Sequence, residues 1–300
     1  MRSIVKGDHP ELDTSDLLDF EDTKIYQSLI GGLQWVIQIG RFDITTHIAT
    51  LSRFRAAPRQ GHMERVKRVY GYISKMRNSV IRVLTEEPDF SMYPEKMCDW
   101  CYTAYGGAKE EEPDDAPRPL GKRVVHSCHV DANLYHDLVS GKAMTGILHY
   151  LNGTLYDWYS KLQSTVETAT FGSEYVAART CSEQVLDIRL TLRYLGVPVE
   201  TPSFMFGDNE SVVNTASIPH SKLSKRHVAL SYHKARWCIA AKVTRFYHIP
   251  GKTNPADIVS KHWDMPAVWD SLQPLLFYRY TPRISDQEDE DQQDSSTQST

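Results

Sequence analysis

The chain has 300 residues, of which 41% are hydrophobic, and a formal net charge of -4 at pH 7. This length allows one large domain or two smaller ones, and the net charge is not that of a surface coated for nucleic acid. An apolar run of about 18 residues is absent, which excludes a membrane-spanning helix. An odd number of cysteines, 5, without a signal peptide indicates a reducing compartment and argues against secretion.

The first third of the chain predicts a small helical unit. Residues 1–23 are polar and predict an irregular segment. Residues 24–101 carry apolar side chains at helical spacing, and His62–Ile73 is a clear example. Residues 102–121 are rich in Gly, Pro and acidic residues, which predicts a linker to a second unit.

The second unit, residues 122–265, begins with three strand-like runs. They are Val124–Asn133, Ala143–Leu151 and Leu155–Tyr159. The second and third are separated by Asn152–Gly153, a strong signal for a two-residue hairpin turn. The three runs therefore predict an antiparallel meander.

Helices and two further strands follow the meander. A helical stripe runs from Glu167 to Leu195 and stops at Gly196, which is common just after a helix. The remaining predicted elements are a strand at Ser203–Gly207, a helix at Asn209–Thr215, a helix at Arg226–Ala241, a strand at Val243–Ile249 and a helix at Pro255–Lys261. This order predicts an α/β fold with a five-stranded mixed sheet, whose fourth and fifth strands are joined by a right-handed crossover.

Four acidic residues fall at strand ends and on helices of this unit. Asp131 ends the first strand, Glu174 lies in the long helix, Asp208 follows the fourth strand and Asp257 opens the last helix. Taken singly, Asp208 and Asp257 could cap or begin helices, and Glu174 could face solvent. Together, four carboxylates in one α/β unit could converge on two Mg²⁺ ions, which prefer oxygen ligands and can clamp a phosphodiester displacement.

Several sequence blocks, in order, resemble one known family. YQSLIGGLQWVIQIGRFDITTHIATLSRF and HMERVKRVYGYI resemble the segment after the reverse-transcriptase palm in copia-type LTR retrotransposon gag-pol polyproteins. DANLYHD, KAMTGILHYLNGTLYDWYSKLQSTVETATFGSEYVAA, FGDNESVV, KRHVALSYH and NPADIVSKHW resemble the ribonuclease H blocks of the same family. The resemblance implies a ribonuclease H-like fold preceded by a helical thumb and connection unit, in a C-terminal fragment of the polyprotein.

The resemblance also implies an activity and a site. The activity is Mg²⁺-dependent endonucleolytic hydrolysis of the RNA strand of RNA–DNA hybrids, with Mn²⁺ able to replace Mg²⁺. Asp131, Glu174, Asp208 and Asp257 match the catalytic, metal-binding residues, with Asp131 bridging both ions. Residues near these blocks that are predicted to contact nucleic acid are Asn133, Ser173, Lys161, Lys225, Arg226 and His227. The implied partners are the hybrid and the rest of the polyprotein, without a membrane. The implied location is a cytoplasmic retroelement particle, with a nuclear phase left open.

Two departures from the family leave an alternative open. The loop IPGKTNP before Asp257 lacks the histidine that many ribonucleases H carry there, and the Tyr-x-Asp-Asp polymerase hairpin is absent. We therefore expect no DNA polymerisation by this chain, and an inactive or domesticated remnant that binds nucleic acid is the alternative to an active ribonuclease. The order of the acidic residues disfavours an integrase or a 3′–5′ exonuclease. Residues 266–300 are predicted to be a C-terminal extension that ends in a disordered acidic tail.

Overall fold

A computed structural model describes residues 8–95, 98–223 and 225–279 of the chain. The acidic tail that is predicted to be disordered lies outside the described residues. Within them, no helix is long and apolar enough to cross a membrane.

Three α-helices form the N-terminal part: α1 (Phe20–Gln38), α2 (Thr45–Leu51) and α3 (Gln60–Lys75). Helix α1 begins inside the segment predicted to be irregular. The reason is a local cap, because the Asp19 carboxylate accepts a hydrogen bond from the backbone N–H of Asp22 at 2.8 Å.

The central sheet has five strands in the spatial order β3-β2-β1-β4-β5. The strands are β1 (His126–Asn133), β2 (Met144–Leu151), β3 (Thr154–Leu162), β4 (Ser203–Gly207) and β5 (Thr244–His248). Strands β1, β2 and β3 are antiparallel, whereas β4 runs parallel to both β1 and β5. The hairpin at Asn152 and Gly153 is confirmed, since both residues have positive φ angles (48° and 76°), as the favoured two-residue turn requires.

In the described part of the chain, five α-helices follow the meander: α4 (Thr170–Tyr194), α5 (Glu210–Ser217), α6 (Ala229–Ala240), α7 (Asp257–Ser260) and α8 (Met265–Leu276). Helices α4 and α6 cover one face of the sheet, where Tyr175 and Ala235 pack with Ile147, Met205 and Phe246 in one buried core. The element order and strand directions confirm the predicted α/β ribonuclease H-like fold.

The N-terminal helices pack directly on the other face of this sheet. A single buried core joins Tyr26 and Ile30 of α1 with Leu148 of β2, and it also contains Ile258 of α7 and Leu272 of α8. The helical unit and the sheet therefore share apolar surface. Helix α8, although it falls largely in the predicted C-terminal extension, belongs to the same core. The division into five parts stays a prediction.

The predicted linker, residues 102–121, is attached to the sheet unit along its length. It contains no helix or strand, and its Glu110 carboxylate accepts two hydrogen bonds from Arg189 and two from Arg193, all between 2.7 and 2.9 Å. These bonds tie the segment to α4, because Arg189 is buried and needs a partner for its charge. The linker is thus a packed strap on the described part of the fold.

Candidate active site

Three of the four predicted catalytic carboxylates meet at one edge of the sheet. Asp131, Asp208 and Asp257 each offer one oxygen, and these oxygens all lie within 4.8 Å of one another. Asp131 lies in β1 and Asp208 directly follows the neighbouring parallel strand β4, so both fall at the same end of the sheet. Asp257 is delivered by α7.

Helix α7 reaches Asp131 because β2 carries a glycine at the crossing point. Gly146 is the β2 partner of Asp131, and a Cβ added there would lie 2.7 Å from Ser260 Cβ and 2.9 Å from the carbonyl oxygen of Ala256. Any side chain would push α7 outward. The close approach allows the Ser260 hydroxyl to donate a hydrogen bond to Asp131 Oδ2.

The loop before α7 is fixed to β1 by a buried asparagine. Asn254 Nδ2 donates to the carbonyl oxygen of Val130 at 3.0 Å, and Asn254 Oδ1 accepts from the N–H of Ala256 at 3.1 Å. The side chain is only 2% exposed, so both bonds form away from competing water. Asn254 thereby sets the start of the helix that carries Asp257.

Glu174 joins the site from α4. It is buried at 6% exposure, and its oxygens are not among the three that lie within 4.8 Å of one another. Burial and the nearby charges of Asp131 and Asp208 raise the pKa of Glu174 well above its usual range. The negative charges of Asp131 and Asp208 therefore act on the Glu174 carboxyl group.

The cluster is short of positive charge. Burial and the charge of Asp131 raise the pKa of Asp208, and the same two causes raise the pKa of Asp257 to about 6. Lys261 offsets part of the negative charge. Its Nζ lies 2.5 Å from Asp257 Oδ1 and 3.4 Å from Asp131 Oδ1. Burial lowers the pKa of Lys261, but the carboxylates more than offset this, and the pKa is raised.

The donor set fits a divalent cation. All of its ligand atoms are carboxylate oxygens, which suit Mg²⁺ and Mn²⁺ and suit softer metals poorly. Burial, and after it the neighbouring carboxylates, raise the pKa of Glu174, Asp208 and Asp257, and a bound cation would favour their ionised forms.

The residues predicted to contact nucleic acid lie in different environments. Asn133 Nδ2 is 3.0 Å from His136 Nδ1 at the end of β1, and Lys161 is exposed on the edge strand β3. Lys225 Nζ lies 5.9 Å from the centre of the Phe171 ring of α4.

Arg226 and His227 follow Lys225 on the surface, where His227 Nε2 is 3.0 Å from Glu167 Oε2, just before α4. The contact of Ser173 with nucleic acid stays a prediction. Its side chain is fully buried, and its hydroxyl donates to the carbonyl oxygen of Thr170 at 3.0 Å.

Four residues that organise the site were not predicted from the sequence: Gly146, Asn254, Ser260 and Lys261. For Lys261 a local signal existed, since Asp257 and Lys261 are four residues apart on a predicted helix and such pairs face each other. The other three act through contacts between distant parts of the chain, for which the sequence pattern holds no signal.

The amino-acid sequence is similar to parts of two retrotransposon polyproteins. Over 236 residues the chain is 23% identical to the retrovirus-related Pol polyprotein from transposon TNT 1-94 of Nicotiana tabacum, covering 79% of the chain and 15% of that protein. Over 254 residues it is 23% identical to the retrovirus-related Pol polyprotein from transposon RE1 of Arabidopsis thaliana, covering 84% of the chain and 15% of that protein. The chain thus spans a small part of the length of both relatives.

Among solved structures, the chain is similar to LC11-RNase H1, isolated from compost by a metagenomic approach. The identity is 18%, the TM-score is 0.36, and the match covers 49% of this chain and 98% of that one. No protein-family model matches the chain.

The strand order and the carboxylates at the sheet edge define an α/β protein with a ribonuclease H-like fold. Over most of its length, its sequence is similar to a segment of the Pol polyproteins of two plant retrotransposons.

Proposed function

We propose that the chain is a divalent-metal-dependent ribonuclease that hydrolyses the RNA strand of an RNA–DNA hybrid. The observation that carries the proposal is the convergence of Asp131, Asp208 and Asp257, with Glu174 beside them, at one sheet edge. Four buried or half-buried carboxylates close together are unfavourable without a cation, so the arrangement suits metal-assisted chemistry better than structural support.

Each carboxylate has a distinct role in this proposal. Asp131, the most buried member of the three-residue cluster, would help to hold both ions. Asp208 or Asp257 would help Asp131 to hold one ion, and Glu174 would help it to hold the other. When bound, such ions activate a water molecule and stabilise the leaving oxygen of a phosphodiester. Ser260 keeps Asp131 in position through its hydrogen bond to Oδ2, and Asn254 keeps Asp257 in position.

The proposed substrate is recognised by shape and 2′-hydroxyl groups rather than by base sequence. Lys161, Lys225 and Arg226 are the exposed or half-exposed cations proposed to contact its phosphates. The rest of a Pol polyprotein is the proposed partner, and Mg²⁺, or Mn²⁺ in its place, is the proposed cofactor. The proposed site of action is a cytoplasmic retroelement particle.

The test is cleavage of a labelled RNA strand in an RNA–DNA hybrid, with Mg²⁺ and with EDTA. We expect cleavage by the chain with Mg²⁺, and none with EDTA or for the Asp131→Asn variant. An Asp270→Asn variant, which alters an acidic residue of α8 outside the cluster, is the matched control and should cleave normally. A folded chain that binds the hybrid with Mg²⁺ but does not cut it would refute the ribonuclease and favour the noncatalytic remnant.

A further inference from the structure

Lys261 places a cation of the chain itself inside the carboxylate cluster. Its ammonium lies 2.5 Å from Asp257 Oδ1 and 3.4 Å from Asp131 Oδ1, and therefore bridges a carboxylate of α7 and one of β1. These two oxygens belong to residues whose carboxylates are also close to Asp208. The ammonium and a divalent ion would thus draw on the same ligands.

The position of Lys261 follows from the fold rather than from a flexible surface chain. It comes directly after α7, one residue beyond Ser260, whose hydroxyl is bonded to Asp131. The Lys261 N–H donates to the carbonyl oxygen of Asp257 at 3.1 Å, which fixes the backbone from which the side chain extends. The close approach of α7 to Gly146 therefore determines the position of the Lys261 ammonium as well as that of Asp257.

Although it is held at its base, the Lys261 side chain can leave the cluster. Its side chain is 35% exposed, whereas that of Asp131 is 2% exposed. A four-carbon side chain anchored at the rim can turn its ammonium into solvent while the buried carboxylate stays in place.

We propose that Lys261 is a positioning residue that competes with divalent ions for Asp131 and Asp257, so that an ion binds by displacing its ammonium. The inference rests on the proposed function, because it assumes that these carboxylates bind a divalent ion. Lys261 supports the geometry of Asp131 and Asp257 until an ion arrives, and it weakens ion binding by the cost of its own displacement.

The test is the dissociation constant for Mg²⁺ and for Mn²⁺, measured by calorimetry on the full chain. Lys261→Met removes the charge, Lys261→Gln also removes it but keeps a donor for Asp257, and Lys261→Arg keeps it. From the interaction of unit charges a few ångströms apart in partly solvated surroundings, we expect divalent ions to bind on the order of tenfold tighter to the Met and Gln variants. The Arg variant should remain close to the unaltered chain.

The matched control is Lys67→Met, which removes the same charge from an exposed position on α3 and should leave the dissociation constant unchanged. Unchanged or weaker divalent binding in a folded Lys261→Gln variant would overturn the competition. Asp131→Asn separates this failure from that of the proposed function. If the unaltered chain binds a divalent ion and Asp131→Asn does not, only the role of Lys261 is in question. If the unaltered chain binds no divalent ion, both proposals are wrong.

Discussion

Gly146→Ala tests the claim that close contact between β2 and α7 assembles the site. The new Cβ would lie 2.7 Å from Ser260 Cβ and 2.8 Å from Ser260 N, where ordinary contact begins at 3.4 Å. Relief requires a separation of roughly 0.7 Å, the difference between 3.4 and 2.7 Å. The opposing atoms belong to or adjoin the α7 backbone, so the whole helix must move.

The expected cost combines two opposing effects. Replacing a glycine inside a strand by alanine without new contacts stabilises by about 0.5–1 kcal/mol. Overpacking a tight contact costs about 1–3 kcal/mol, so the free energy of unfolding should fall by up to about 2.5 kcal/mol. Displacement of Asp257 by a large fraction of an ångström should also reduce hybrid cleavage by on the order of tenfold to a hundredfold.

The measurements are urea unfolding and cleavage of the hybrid. Gly71→Ala on α3 is the control, and it should change the free energy of unfolding in the opposite direction. A Cβ at this exposed position meets nothing within 4 Å. Gly71→Ala should stabilise by about 0.8–1 kcal/mol through helix propensity and leave cleavage unchanged. A Gly146→Ala variant as stable and as active as the unaltered chain would refute the reasoning.

Three further predictions concern other contacts. Asn254→Ala should destabilise by about 1–3 kcal/mol in urea unfolding, because the buried carbonyl of Val130 loses its donor; a loss under about 0.5 kcal/mol would contradict this. Glu110→Gln should destabilise by about 3 kcal/mol, since two arginines of α4 lose their counter-charge, whereas Glu112→Gln, 73% exposed, should cost under about 1 kcal/mol. Equal effects would show that the strap is not anchored at Glu110.

The third prediction concerns His129, whose pKa burial lowers from 6.5 to about 4. Between these two pH values the unfolded chain binds more protons than the folded chain. The free energy of unfolding therefore falls as the pH decreases from 6.5 to about 4. His129→Phe should reduce this fall by up to about 1.4 kcal/mol per pH unit, measured by unfolding at pH 7 and pH 5. An unchanged pH dependence in the variant would argue against a neutral, half-buried His129.

Local patterns in the sequence were sufficient to predict the strands and helices of the sheet unit. The Asn152–Gly153 hairpin and the long helical stripe that became α4 depend on backbone preferences and on apolar spacing within a few residues. The order of strands and helices predicted Asp131 at the end of one strand and Asp208 just after another, and the structure shows that these two strands are parallel neighbours. The convergence of the carboxylates was accessible for the same reason, because strand ends on one edge of a sheet must lie close together.

What the sequence by itself determined is therefore the order of elements, the fold class and the acidic residues of the candidate site. Only the tertiary structure decided that the N-terminal helices share a core with the sheet, that the strap is anchored at Glu110, that Ser173 is buried and that Lys261 lies among the carboxylates. The physical reason is distance along the chain. Asp131 and Ser260 are 129 residues apart, and their contact depends on the space left by Gly146, which no local preference encodes.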